Sequence, residues 1–112
     1  MLVKKTLSLG QFAKAGEDFK DGDILQILDE GKEVEGEFGI RTIFQVRIPN
    51  EESKNLAFNQ TSLNYLVDSY GEETKNWKGK DVKAWVVNQM VSNKMRKVVY
   101  LTSPEQTLEG ME

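Results

Sequence analysis

At 112 residues the chain has room for one ordinary domain and none for a second core. It carries no Cys and no His, which removes disulfides, thiolate nucleophiles, Cys/His zinc sites and the commonest general base. The net charge of -3 is unevenly spread: residues 1–39 hold five Lys against nine acids, residues 40–104 hold ten Lys and Arg against six acids, and Glu105, Glu109 and Glu112 close an acidic tail.

Residues 1–20 mix apolar and charged positions without a period and read as an arm, with Phe12 and Phe19 able to pin it to the body of the domain. Asp21-Gly22-Asp23 is a turn signal, and the run Ile24 to Leu28 opens a first strand, expected over 23–33. After the glycine-punctuated turn Glu35 to Gly39, the segment Ile40 to Ile48 alternates strictly. Ile40, Thr42, Phe44, Val46 and Ile48 share one face, and Arg41, Ile43, Gln45 and Arg47 share the other, which predicts a second strand. Pro49 to Glu52 turns the chain, and 54–58 supplies a short third strand.

The period then lengthens. Leu63, Leu66, Val67 and Tyr70 fall at i, i+3, i+4 and i+7, predicting a helix over 61–70 with Thr61 or Ser62 as N-cap and Gly71 as stop. Trp77, between the helix end and the Gly79-Lys80 turn, has two readings: a basic–aromatic cluster with Lys75, Lys78 and Lys80, or, the favoured one, a plug for the bottom of a barrel. Strand four is expected over 81–91, with Val82, Ala84 and Val86 opposite Lys83, Trp85 and Val87. Ser92 to Lys94 turns, and strand five runs over 95–102 until Pro104 ends the domain, leaving 104–112 as a tail.

Three strands, a helix and two strands is the order of the OB-fold, a five-stranded Greek-key barrel whose outer face binds oligonucleotides or oligosaccharides. The expectation is therefore an all-β OB barrel over 21–103 with one helix between strands three and four. The segment Phe58 to Leu63 and the run Tyr70-Gly71-Glu72-Glu73-Thr74-Lys75-Asn76-Trp77-Lys78-Gly79-Lys80-Asp81-Val82 resemble small OB-fold proteins of phages, plasmids and archaea that look like single-stranded-DNA-binding modules. That resemblance implies the fold over 21–103 more than an activity, and transfers no binding residue.

Single strands are held by cations that follow the phosphates together with flat side chains on which bases stack. Arg41, Ile43 and Arg47 on the outer face of strand two, Lys83 and Trp85 on strand four, and Lys94, Arg96 and Lys97 on the last hairpin are the candidates. Arg41, Arg47, Lys83 and Trp85 are expected to line one groove. Trp85 has two readings, a stacking platform or a ring covered by the arm or a partner chain; Tyr100 and Phe58 have no register fixed by sequence.

No phosphate loop, metal cluster or convincing carboxylate pair is present, so no catalysis, metal or cofactor is expected. The expectation is non-catalytic binding of single-stranded DNA or RNA with little sequence preference. Its rival is an OB module that buries its apolar outer face, Ile43 and Val87 included, against another protein, with the acidic tail as a second docking element. No leader or apolar run of about 18 residues is seen, so a soluble, cytoplasmic protein is expected.

Overall fold

A computed structural model describes residues 11–36 and 39–107; the first half of the arm, Glu37 and Phe38 of the glycine-punctuated turn, and the last five residues of the tail lie outside the described residues. Six strands form among them, one more than expected, with one α-helix. The predicted first strand divides into β1 (Ile24–Ile27) and β2 (Lys32–Gly36). Asp29 breaks it: its Oδ1 accepts the N–H of Gly31 at 3.0 Å and that of Gln45 at 3.1 Å, holding the chain in a turn.

Gly31 sits there with φ of 77°, and a Cβ on it would lie 2.5 Å from the Phe44 ring. Only glycine fits that approach. Both β1 and β2 pair antiparallel with the same edge of β3 (Gly39–Arg47), through Gln26↔Arg47 and Lys32↔Ile43. Seven residues, 26–32, therefore match five, 43–47, and the two extra residues bend the sheet.

On its other edge β3 carries β4 (Ser53–Phe58), and β1 continues on its far side to β5 (Asp81–Val91) and β6 (Lys94–Thr102). The sheet is antiparallel throughout, and β4 and β6 are its ends. No ladder joins them among the described residues. Side chains span the seam instead. Asn59 Nδ2 donates to the Val99 carbonyl at 2.9 Å, and the Leu101 N–H donates to Ser62 Oγ at 2.9 Å. Farther along, residues 11–13 of the arm lie beside β4, with Ala13 N–H donating to the Asn55 carbonyl and Asn55 N–H to that of Gln11.

Asn59 is also the N-cap of α1 (Gln60–Tyr70), where Thr61 or Ser62 was expected; its Oδ1 accepts from the Ser62 N–H at 2.9 Å and from the Ser62 hydroxyl at 2.6 Å. Ser62 is turned inward and fully buried because its oxygen serves Leu101. The helix ends at Gly71, as the sequence predicts, and a single 3-10 turn (Thr74–Asn76) leads to Trp77.

Trp77 closes the core as the sequence reading has it. It is 1% exposed, stacks on Phe44 with centroids 5.5 Å apart, and donates its Nε1–H to the Gly71 carbonyl at 2.8 Å. Phe44 and Val46 from β3, Ile48 just past it, and Val82 and Ala84 from β5 are in the buried cluster as alternation predicts, together with Leu25, Ile27 and Leu101, whose faces the sequence left open. Phe19 of the arm is buried among them, and the arm is tied by an ion pair from Lys54 Nζ to Asp18 Oδ1 at 2.9 Å. The Lys14 N–H and the Lys54 ammonium both hold the Asp18 carboxyl below its ordinary range, and Asp18 in turn raises Lys54.

Ile40 departs from the pattern. It has the parity of Phe44 yet is 64% exposed, because the β2–β3 hairpin runs on past the core and sets it opposite Glu35. Among the described residues no helix is long and apolar enough to cross a membrane.

Candidate functional site

The turn Ser92-Asn93, with φ of 50° and 65°, is the two-residue left-handed kind that matches strand twist, and it sets the register of the last hairpin. Val91 faces Lys94, so Gln89 faces Arg96, Val87 faces Val98, Trp85 faces Tyr100 and Lys83 faces Thr102. These ten residues share one side of the hairpin, since directly opposed residues point the same way, and Thr102 at its inner end is fully buried. The two aromatic side chains on it are neighbours across the ladder.

Each ring is pinned at its edge. Trp85 is half-buried and donates Nε1–H to Thr102 Oγ1 at 2.9 Å; Tyr100, also half-buried, donates its hydroxyl to Gln89 Oε1 at 2.9 Å. The Lys83 ammonium lies 4.5 Å from the Trp85 centroid, a cation–π contact that occupies one side of the ring. Such fixed rings lose little freedom when a flat ligand packs on them.

Through β1 the face continues to β3. Ile24, 46% exposed, lies opposite Lys83, and Gln26 lies opposite both Asp81 and Arg47. Arg47 is thus two strands and two residues from Lys83, roughly 12 Å between backbones at standard spacings. Arg47, Lys83 and Trp85 lie on one face of the sheet, and Arg96 and Lys94 continue it toward the hairpin tip. No carboxylate occurs from Val82 to Pro104.

The other candidates lie elsewhere. Arg41 is six residues from Arg47, about 20 Å along β3 and in the direction away from Trp85. It borders a cleft of about 320 Å³ with Ile40, Thr42, Asn59 and Gln60, so it does not join the groove expected of the four. Ile43 was expected on the outer face but is only 3% exposed, between Lys32 and Ala57 in the ladder, and has no free surface to offer. Lys97 pairs with Asn88 on the opposite face from Arg96 and reaches over the arm, where a methyl group on Gly16 would meet its Nζ at 3.0 Å.

Tyr100, Ile24, Gln26 and the ring partners Gln89 and Thr102 are among the members of this side that sequence reasoning left out. The first was within reach: once 92 and 93 form a two-residue turn, counting back sets 100 beside 85. Phe58, whose register was open, is buried with its ring 4.4 Å from Phe44.

A wider cleft, about 460 Å³, opens between the end of α1 and the start of β5, lined by Ser69, Tyr70, Lys80, Asp81 and Ser103. Tyr70 donates its hydroxyl to the Asp81 carbonyl there at 2.8 Å, and burial raises its pKa above the ordinary value. It holds one cation and two carboxylates counting Glu105; Asp81 lies two residues from Lys83 on the same face, so the cleft brings acid rather than further cations to the edge of the surface. Among the described residues no group of three or more acids is placed to hold a metal ion.

No protein-family model matches this sequence, and no curated protein matches it at a significant level.

Proposed function

We propose that the chain is an OB-type barrel that binds single-stranded nucleic acid, DNA in the first instance, without chemistry on it and with little sequence preference. Taking β1 and β2 as one bent strand leaves five strands in OB order with α1 between the third and fourth. The seam between β4 and β6, spanned by Asn59 and Ser62, stands where such a barrel would close.

The observation that carries the ligand is the half-buried Trp85–Tyr100 pair on the outer face of β5 and β6, with Lys83 against the Trp85 ring, Arg96 two ladder pairs along and Arg47 across β1 on the same face. Bases stack on the two rings; the Lys83 ammonium leaves the Trp85 ring for a phosphate, and Arg47 and Arg96 take phosphates on either side. Stacking contributes about 1–3 kcal/mol per base and accepts any base, hence the weak sequence preference.

Titration of intrinsic tryptophan fluorescence with oligo-dT at two salt concentrations tests this. Trp77 is sealed in the core, so a change reports on Trp85. Quenching, with affinity falling steeply as salt rises, is expected. No quenching and no salt-sensitive binding overturns the reading. Ile24, exposed beside Lys83, favours one second reading, in which the same face packs on a protein; that reading predicts a salt-tolerant partner and no response to oligo-dT. Oligo-U as competitor reports the choice between DNA and RNA.

A further inference from the structure

We infer that copies of this chain associate head to tail, the tip of the β5–β6 hairpin of one molecule docking on the β2–β3 hairpin of the next. The inference is independent of any nucleic-acid ligand. The tip combines two features that no single strand of phosphates would satisfy. Met90 and Met95 are paired across the ladder and each 64% exposed, and Val91 is 40% exposed. Lys97 lies on the same face as the Met pair, while Lys94 and Arg96 flank Met95 in sequence and share the reverse face with Val91, with no carboxylate near in sequence. Exposed apolar side chains clustered with charge of one sign mark a contact surface for an apolar, oppositely charged partner.

The same molecule carries that partner surface. Ile40, 64% exposed, faces Glu35 across the β2–β3 ladder, and Glu33 lies two residues along on the same side, opposite Thr42. That side of the hairpin holds an apolar centre and two carboxylates. Lys32, Val34 and Arg41 are on the reverse. Tip against tip would oppose cations, and β2 against β2 would oppose acids, so a symmetric contact is disfavoured at both poles.

The poles also lie at opposite ends of the strands. Arg47 and Asp81 are level, both opposite Gln26; Ile40 is seven residues to one side of that line and Val91 ten residues to the other. One molecule can therefore use both poles at once, which makes the contact heterologous and lets it repeat along a row.

Sedimentation velocity of the protein alone in low salt, over a wide concentration range, tests this. The parent should show concentration-dependent species above monomer mass that are lost in high salt. Met90→Ser with Met95→Ser removes one pole, and Ile40→Ser with Glu35→Gln removes the other; all four side chains are accessible, so the fold is retained. Each variant alone should be monomeric, and an equimolar mixture should form a dimer and nothing larger, because one intact tip meets one intact acidic pole. A monomeric parent throughout, a single-pole variant that still dimerises alone, or a mixture that stays monomeric overturns the inference.

Discussion

Asn59 holds the helix cap and the open seam of the sheet with one side chain, and its replacement has a size that can be worked out. Asn59→Ala removes the acceptor for the Ser62 N–H and hydroxyl, and the donor to the Val99 carbonyl. Loss of an N-cap costs about 1 kcal/mol, and loss of a typical intramolecular hydrogen bond about another 1 kcal/mol. The sum is about 2 kcal/mol. With an unfolding entropy of roughly 2.1 cal/mol/K per residue, a chain of 112 residues loses about 8 °C of Tm. Asn59→Asp separates the two roles, because a carboxylate still caps the helix but cannot donate to Val99. It should cost about 1 kcal/mol and, because the bridge to Val99 is lost while the carboxylate still accepts from Ser62 Oγ, loosen the seam and speed hydrogen exchange at the Leu101 amide two residues along from Val99. Urea denaturation followed by circular dichroism measures the first, and exchange monitored by NMR the second. If Asn59→Asp is as stable as the parent with unchanged exchange at Leu101, the side-chain bridge does not hold the seam.

Gly31→Ala forces a Cβ to within 2.5 Å of the Phe44 ring and strains a φ of 77°, for a loss of about 2–5 kcal/mol. Gly22→Ala has open space and only the backbone cost of about 1–3 kcal/mol, so equal losses in urea denaturation would contradict the close approach to Phe44. The Asp18 carboxyl has a folded pKa below its ordinary 3.8, so the arm contact is fully present above that pH and lost as pH falls through the lowered value. Pepsin should cut within 11–19 increasingly on the acid side of 3.8, and in Asp18→Asn trypsin should cut at Lys14 faster even at neutral pH; unchanged trypsin resistance of that variant refutes the role of the pair. Trp85→Ala should weaken oligo-dT binding by about 5- to 150-fold, the equivalent of one stack, and Trp85→Phe by much less; anisotropy with a labelled oligonucleotide checks both, and parent affinity in Trp85→Ala refutes the platform.

Much of the fold was legible because local signals and packing agree. The alternation of 40–48, the helical spacing of Leu63, Leu66, Val67 and Tyr70, and a Trp between a helix stop and a glycine turn each stand for one burial pattern. The break in the first strand was not legible. Asp29 makes it by bonding Gln45, sixteen residues away, and Ile24 to Leu28 shows no local sign of that partner. The helix cap fails for a related reason: Asn59, Thr61 and Ser62 are all good caps, and Ser62 is withdrawn from the contest by the Leu101 amide of a distant strand.

The surface was harder to read, because alternation assigns a residue to a side of the sheet and says nothing of what lies over that side. On β3 the result is inverted at two positions: Ile40 has core parity and is exposed, while Ile43 has outer parity and is buried. Charge counting has the same weakness, since it sums along the chain. Arg96 and Lys97 are adjacent in sequence but lie on opposite faces of the hairpin, one on the face of the aromatic pair and one over the arm. The Trp85–Tyr100 pair escapes both difficulties. Its register follows from the length of a single turn, so any variant that lengthens Ser92-Asn93 by one residue would slip β6 and turn Tyr100 to the other face while Trp85 stays in place.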